Sequence, residues 1–219
     1  GSGAGGHKVM TYGLEGENVL KVDGPYAAPC QHIGEYDVVL LTAAGIGLTP
    51  FSSTLQSIIN HRWASGQPPR DVHFHWSCRF TEVEAYLWFM RLISDLHKSY
   101  KVRRANQETV VFSVTLYLTG ESTDAELAGL CETYGLTYAA SGQQVDPDEH
   151  IIVKKGRPNW EQVFAGLAKR YKDHHIGVFH CGPMGKDLNY HSRTQSRILT
   201  NRLHGERENT RFTLHAEVF

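Results

Sequence analysis

The run Val38-Val39-Leu40-Leu41-Thr42-Ala43-Ala44-Gly45-Ile46-Gly47-Leu48-Thr49-Pro50 constrains this chain more than any other stretch. A near-continuous apolar run marks a parallel strand covered on both faces. Two glycines then let the backbone turn tightly and come close to a ligand, and Thr49 and Pro50 suit the cap and first turn of a helix. Backbone N–H groups and the helix dipole at such a turn hold a phosphate. The third glycine of the full dinucleotide fingerprint is missing, so the run alone also fits a helix that merely packs close to a strand.

A second strand-to-turn signature is Val178-Phe179-His180-Cys181-Gly182-Pro183. Gly182 and Pro183 stop the strand and open a helix. Cys181 then falls at the carboxyl end of a parallel strand, where open α/β sheets bind their ligands; a buried small hydrophobe is the competing reading. Between the two signatures, Val72 to Arg79 reads as a strand with a polar, cationic tip. Ser77 and Arg79 are suited to a phosphate monoester, because a guanidinium offers a planar fork to phosphate oxygens; a solvated arginine at a strand end is the plainer alternative. In Gly156-Arg157-Pro158-Asn159-Trp160, Arg157 sits in a loop and Asn159 caps the helix that follows.

Strand-like runs near 37–43, 72–77, 110–118, 176–181 and 211–215 alternate with helix-like periodicity. The fold class that follows is α/β, a Rossmann-like three-layer sandwich with a five-stranded parallel sheet flanked by helices. Helices are predicted after the glycine turn as far as Trp63, over 82–96, 124–134 and 159–171, and over a polar final stretch at 186–203. Residues 141–150, with Gly142, Pro147 and several acids, read as a surface loop.

Lys and Arg total 22 against 23 Asp and Glu, so no basic field points to nucleic acid. Cys30, Cys78, Cys131 and Cys181 are scattered without Cys-x-x-Cys pairing, which argues against a disulfide framework and a zinc site and fits a reducing setting. The histidines lack metal-site spacing and are read as structural. No apolar run approaches the roughly 18 residues that span a bilayer. Gly1-Ser2-Gly3-Ala4-Gly5-Gly6-His7 has the composition of a flexible linker or cloning scar. Residues 1–19 are therefore read as a leader with a remnant of a preceding barrel, and 20–219 as one large domain.

Six segments stand in one order: Asp23-Gly24-Pro25-Tyr26-Ala27-Ala28-Pro29, Gly45 to Pro50, Trp76-Ser77-Cys78-Arg79, Gly156 to Trp160, Cys181-Gly182-Pro183, and the terminal Ala216-Glu217-Val218-Phe219. Together they resemble the NADPH-binding half of the ferredoxin–NADP reductase superfamily, and more narrowly the dehydrogenase domain of the NADPH oxidases. Ala27 stands where such proteins often carry glycine. The resemblance implies a hydride route from NADPH to FAD, then single electrons through haems of a membrane domain to oxygen, giving superoxide or hydrogen peroxide. It assigns the pyrophosphate to Gly45, Ile46, Gly47, Thr49 and Pro50, and the 2′-phosphate to Ser77, Cys78 and Arg79, aided by Arg157 beside Pro158. The nicotinamide end falls to Cys181, Gly182 and Pro183. Cys181, Glu217 and Phe219 form the implied catalytic set, with Phe219 stacked on the flavin until the nicotinamide displaces it.

No flavin-binding signature precedes residue 20, so the flavin barrel is expected outside this chain and the chain alone is expected to be inactive. Implied partners are the flavin-binding and haem-bearing domains of the same protein, together with regulatory proteins, at the cytosolic face of a membrane. A ferric reductase or soluble flavin reductase of the same superfamily is the alternative enzyme. A regulatory docking module, binding nucleotide or activator proteins on its polar helices, is the alternative from another class.

Overall fold

The computed structural model describes residues 10–12, 20–22, 29–140, 150–182 and 210–218. Two short strands, β1 (Met10–Tyr12) and β2 (Leu20–Val22), pair antiparallel. The remaining strands form one sheet. They are β3 (Val38–Ala44), β4 (Asp71–Arg79), β5 (Val111–Thr119), β6 (Thr137–Tyr138), β7 (Ile151–Lys155), β8 (His175–Gly182) and β9 (Arg211–Val218). Their spatial order is β6-β7-β5-β4-β3-β8-β9, and every pairing is parallel.

Helices α1 (Thr49–Ser57), α2 (Leu87–Ala105) and α3 (Asp124–Tyr134) cover one face, and α4 (Trp160–Arg170) covers the other. The alternation along β3 shows how the sequence builds both interfaces. Val39, Leu41 and Ala43 join the cluster that includes Phe51 and Leu55 of α1 and Phe89 and Ile93 of α2. Val38 and Leu40 join Trp160, Phe164, Leu167 and Ala168 of α4. A strand buried on both sides needs apolar residues at both parities, which is why its sequence runs unbroken. The crossover reverses direction after β7, so α4 returns across the opposite face, as right-handed connections require.

The α/β three-layer architecture is the one expected, but the sheet has seven strands rather than five. The additional strands are β6, only two residues long, and β7. Two residues show no periodicity, and β7 follows the polar, proline-bearing stretch that reads as loop. Helix ends fit where caps are explicit. Thr123 and Glu126 form a reciprocal capping box at α3, Asn159 Oδ1 accepts from the Gln162 amide at α4, and Gly135 closes α3 at φ +62°. After β4 the expected helix over 82–96 is instead a 3₁₀ segment, Phe80–Tyr86, followed by α2, which runs on to Ala105. Tyr100, buried in that last stretch, keeps the otherwise polar turns on the core. The first helix continues past α1 as a wider turn over Ile58–Arg62. The predicted helix at 186–203, and 141–149 of the predicted loop, lie outside the described residues.

Candidate functional site

Chain order reverses on either side of β3. From β3 the next strands step toward β4 and β5, whereas β8 and β9 lie on the other flank. Open α/β sheets bind ligands at this reversal, outside the carboxyl ends of the strands. The glycine turn after β3 and the carboxyl end of β8 meet there.

Gly45 leaves β3 at φ +52°, a backbone region open to glycine. Gly45–Leu48 makes one 3₁₀ turn and leads directly into α1. Ile46 is 64% exposed at the tip, while Leu48 is fully buried beneath it. No side chain caps this turn or the start of α1, and Thr49 Oγ1 instead donates back to the Ile46 carbonyl at 2.8 Å. The helices α3 and α4 carry side-chain caps, whereas α1, like α2, has none, and the Thr49 amide bonds back to the Ile46 carbonyl.

Gly47 is demanded by packing. A Cβ built there would stand 2.2 Å from the Cys181 carbonyl oxygen and 2.7 Å from the Gly182 Cα. The second glycine therefore seats the turn on the end of β8, in addition to whatever approach it permits a ligand. At Gly182 a Cβ would stand 3.0 Å from the Ala44 amide nitrogen, so the two glycines keep β3 and β8 in close register at their tips. Cys181 is buried at 1% exposure among apolar neighbours. Register sets Trp76, Ala43, Cys181 and Glu217 side by side across β4, β3, β8 and β9. Pro183 and Phe219, two of the residues implied by the resemblance, lie outside the described residues.

At the tip of β4 the three expected residues part company. Ser77 is half-buried and Arg79 is exposed, with Arg79 Nη1 3.7 Å from Glu82 Oε1. Cys78 points into the core, where burial, and then the Glu82 charge, push its thiol up to about 12. It stays a protonated packing group. Arg157 is exposed and Pro158 half-buried on the loop after β7, beyond β5 from the β4 tip on the same sheet edge. Gly156 starts that loop at φ +96°, its amide donating to the Leu118 carbonyl at 2.8 Å.

Trp76 carries a role that the sequence does not assign to it. Its indole N–H donates to the Gly45 carbonyl at 2.9 Å, and its ring meets Tyr86 edge-on at 5.1 Å. Its place inside the Trp76-Ser77-Cys78-Arg79 motif is the available signal. The histidines of the α4 face are structural in their contacts: His73 lies 2.7 Å from Ser113 Oγ and 2.8 Å from Tyr171 OH, and His180 lies 2.9 Å from Thr42 Oγ1.

A family model described as the ferric reductase NAD-binding domain matches residues 36–196, from just ahead of β3 to beyond the end of β8. The chain belongs to this family. Among curated proteins, this ferric reductase-type NAD-binding domain is similar to a superoxide-generating NADPH oxidase heavy chain of Dictyostelium discoideum, 32% identical over 206 residues, covering 89% of this chain and 36% of that protein. It is likewise similar to respiratory burst oxidase homolog protein D of Arabidopsis thaliana, 32% identical over 209 residues, covering 86% of this chain and 22% of that protein. Protein B of the same group from Solanum tuberosum is 30% identical over 181 residues, with 76% and 20% covered. The domain thus spans about a third or less of the length of these relatives, and the expected resemblance to NADPH oxidases holds. Among the described residues no helix is long and apolar enough to cross a membrane.

Proposed function

We propose that this chain is the NADPH-binding domain of a membrane NADPH oxidase. The observation that carries the reading is the Gly45–Leu48 turn, seated on the Cys181 carbonyl at the strand-order reversal with α1 opening from it uncapped. These residues fit a dinucleotide. The uncapped turn and helix start offer backbone donors to a pyrophosphate, Ser77 and Arg79 offer a hydroxyl and a guanidinium to a 2′-phosphate, and Cys181-Gly182 closes the other flank. Held by these residues, NADPH would be the hydride donor to FAD, and membrane haem would carry single electrons on to oxygen, giving superoxide or hydrogen peroxide.

The protein's own share is orientation. The glycine turn fixes the middle of the dinucleotide, the β4 tip fixes the adenosine end, and the β8 tip keeps the opposite end against a buried, apolar wall. Cys181, Glu217 and Phe219 belong to that second end by resemblance. The flavin-binding and haem-bearing parts of the same protein, at the cytosolic face of a membrane, are the partners this reading requires. Calorimetric titration of the chain with NADPH, NADP⁺ and NADH is the direct test: no binding of any of the three removes the reading and favours a docking module. The family's own description keeps ferric ion in view as the terminal acceptor. Superoxide-sensitive reduction of cytochrome c by the full-length protein, set against reduction of a ferric chelate, separates oxygen from iron.

A further inference from the structure

Arg79, at the end of β4, and Glu82, on the segment that follows it, set two opposite charges 3.7 Å apart at this edge of the sheet. In dinucleotide folds the end of the strand next to the glycine-turn strand holds one of two devices. An acidic residue accepts the ribose 2′-hydroxyl of NADH, or an arginine takes the 2′-phosphate of NADPH. Here β4 is that neighbouring strand, and it presents an arginine with a glutamate 3.7 Å away.

Glu82 is not loosely placed. It stands on the 3₁₀ segment Phe80–Tyr86, next to Val83, which is buried at 5% exposure, and one turn before Tyr86, whose ring meets Trp76 under the glycine turn. Its charge is felt at the strand tip, where it helps raise the Cys78 thiol and the Tyr86 hydroxyl. The Arg79 and Glu82 side chains are 75% and 48% exposed, so their pairing is weak and a phosphate can take the guanidinium. Glu82 is then left facing a second anion.

We propose that Glu82 is a specificity-determining residue that limits the preference for NADPH: it opposes the 2′-phosphate at Arg79 and accepts the ribose 2′-hydroxyl of NADH. This rests on the dinucleotide reading above. The sequence motif around Arg79 signals only the phosphate half of the device, and the structure adds its counterweight.

The test is titration of Glu82→Gln and Arg79→Gln with NADPH and NADH at low and high salt, with melting temperature as a folding check. Glu82→Gln should bind NADPH about 3- to 10-fold more tightly, and NADH no more tightly than the parent chain. The gain should shrink at about 0.5 M salt, because both groups are exposed. Weaker NADPH binding by Glu82→Gln makes Glu82 a mere orienter of Arg79, and an unchanged NADPH-to-NADH ratio shows that it does not face the 2′ position; either overturns the proposal. Arg79→Gln separates the two levels of failure. Loss of NADPH preference there, with no effect of Glu82→Gln, removes this inference alone. Unchanged preference in Arg79→Gln removes the placement of the 2′-phosphate on β4 and both ideas with it.

Discussion

The indole N–H of Trp76 donates to the carbonyl oxygen of Gly45 at 2.9 Å. Strand β4 thus carries Ser77 and Arg79 at its tip and, one residue earlier, ties down the glycine turn that follows the neighbouring strand β3. Trp76 is fully buried, with Tyr86 and Phe89 edge-on to its ring, so the donor has little freedom to point elsewhere. Trp76→Phe keeps most of the packing and removes the donor. It should weaken NADPH and NADH equally, by about 0.5–1.5 kcal/mol, the usual net value of one hydrogen bond. Titration with both nucleotides checks this, and a loss confined to NADPH would mean that Trp76 acts on the β4 tip rather than on the turn.

Arg79→Ala should produce the complementary pattern. A charge-assisted hydrogen bond is worth about 1.5–3 kcal/mol, so NADPH affinity should fall roughly 10- to 150-fold while NADH affinity barely moves. Equal losses for both nucleotides would place the 2′-phosphate elsewhere, with Arg157 the next candidate on the same sheet edge.

Gly45 and Gly47 should respond differently to alanine. At Gly45 the nearest atom to an added Cβ is Tyr86 Oη at 3.7 Å, so the cost is the left-handed backbone alone, about 1–2 kcal/mol. At Gly47 the obstacle is the Cys181 backbone at 2.2 Å, which cannot swing aside like a side chain, and about 3 kcal/mol or more is expected. Urea midpoints of the two variants should fall in that order, Gly47→Ala lower. The reverse order would show that the turn moves off β8 at little cost.

Much of this is legible in the chain because it is local. A strand buried on both faces is apolar at both parities, so β3 and β8 announce themselves even though Thr42 and His180 are buried within them, bonded to each other, and the cap Asn159 marks where α4 begins. What sequence does not show is contact between distant segments. Gly47 reads as room for a ligand until the Cys181 carbonyl is seen beneath it, and Trp76 reads only as the first residue of the Trp76-Ser77-Cys78-Arg79 segment until its N–H is seen to end on Gly45. Cys78 is expected among the residues that read the 2′-phosphate, yet strand alternation turns it inward while Ser77 and Arg79 face out. β7 escapes the sequence because five residues after a polar stretch carry too little pattern to separate a strand from a loop.

His73 and His75 should make the fold sensitive to acid. Burial comes first among the causes that push both down to about 3, followed by His75 and Arg170 at His73, and by Lys154 at His75. Both rings are therefore neutral in the fold, whereas in the unfolded chain they take protons near pH 6.5. The unfolded state binds more protons between about pH 6.5 and 3. Stability from these groups is complete above that window and is lost as the pH falls through it. At pH 5 each costs about 2 kcal/mol, and the pair about 4 kcal/mol, a large part of the 5–15 kcal/mol typical of a domain. His73→Phe leaves Ser113 and Tyr171 without their ring partner and should lower stability at pH 8, but the diagnostic quantity is the slope. Urea unfolding at several pH values between 5 and 8 should show the variant losing stability less steeply below pH 6.5, by up to about one proton, or about 1.4 kcal/mol per pH unit. Parallel slopes for the two proteins would show that His73 takes up its proton inside the folded sheet.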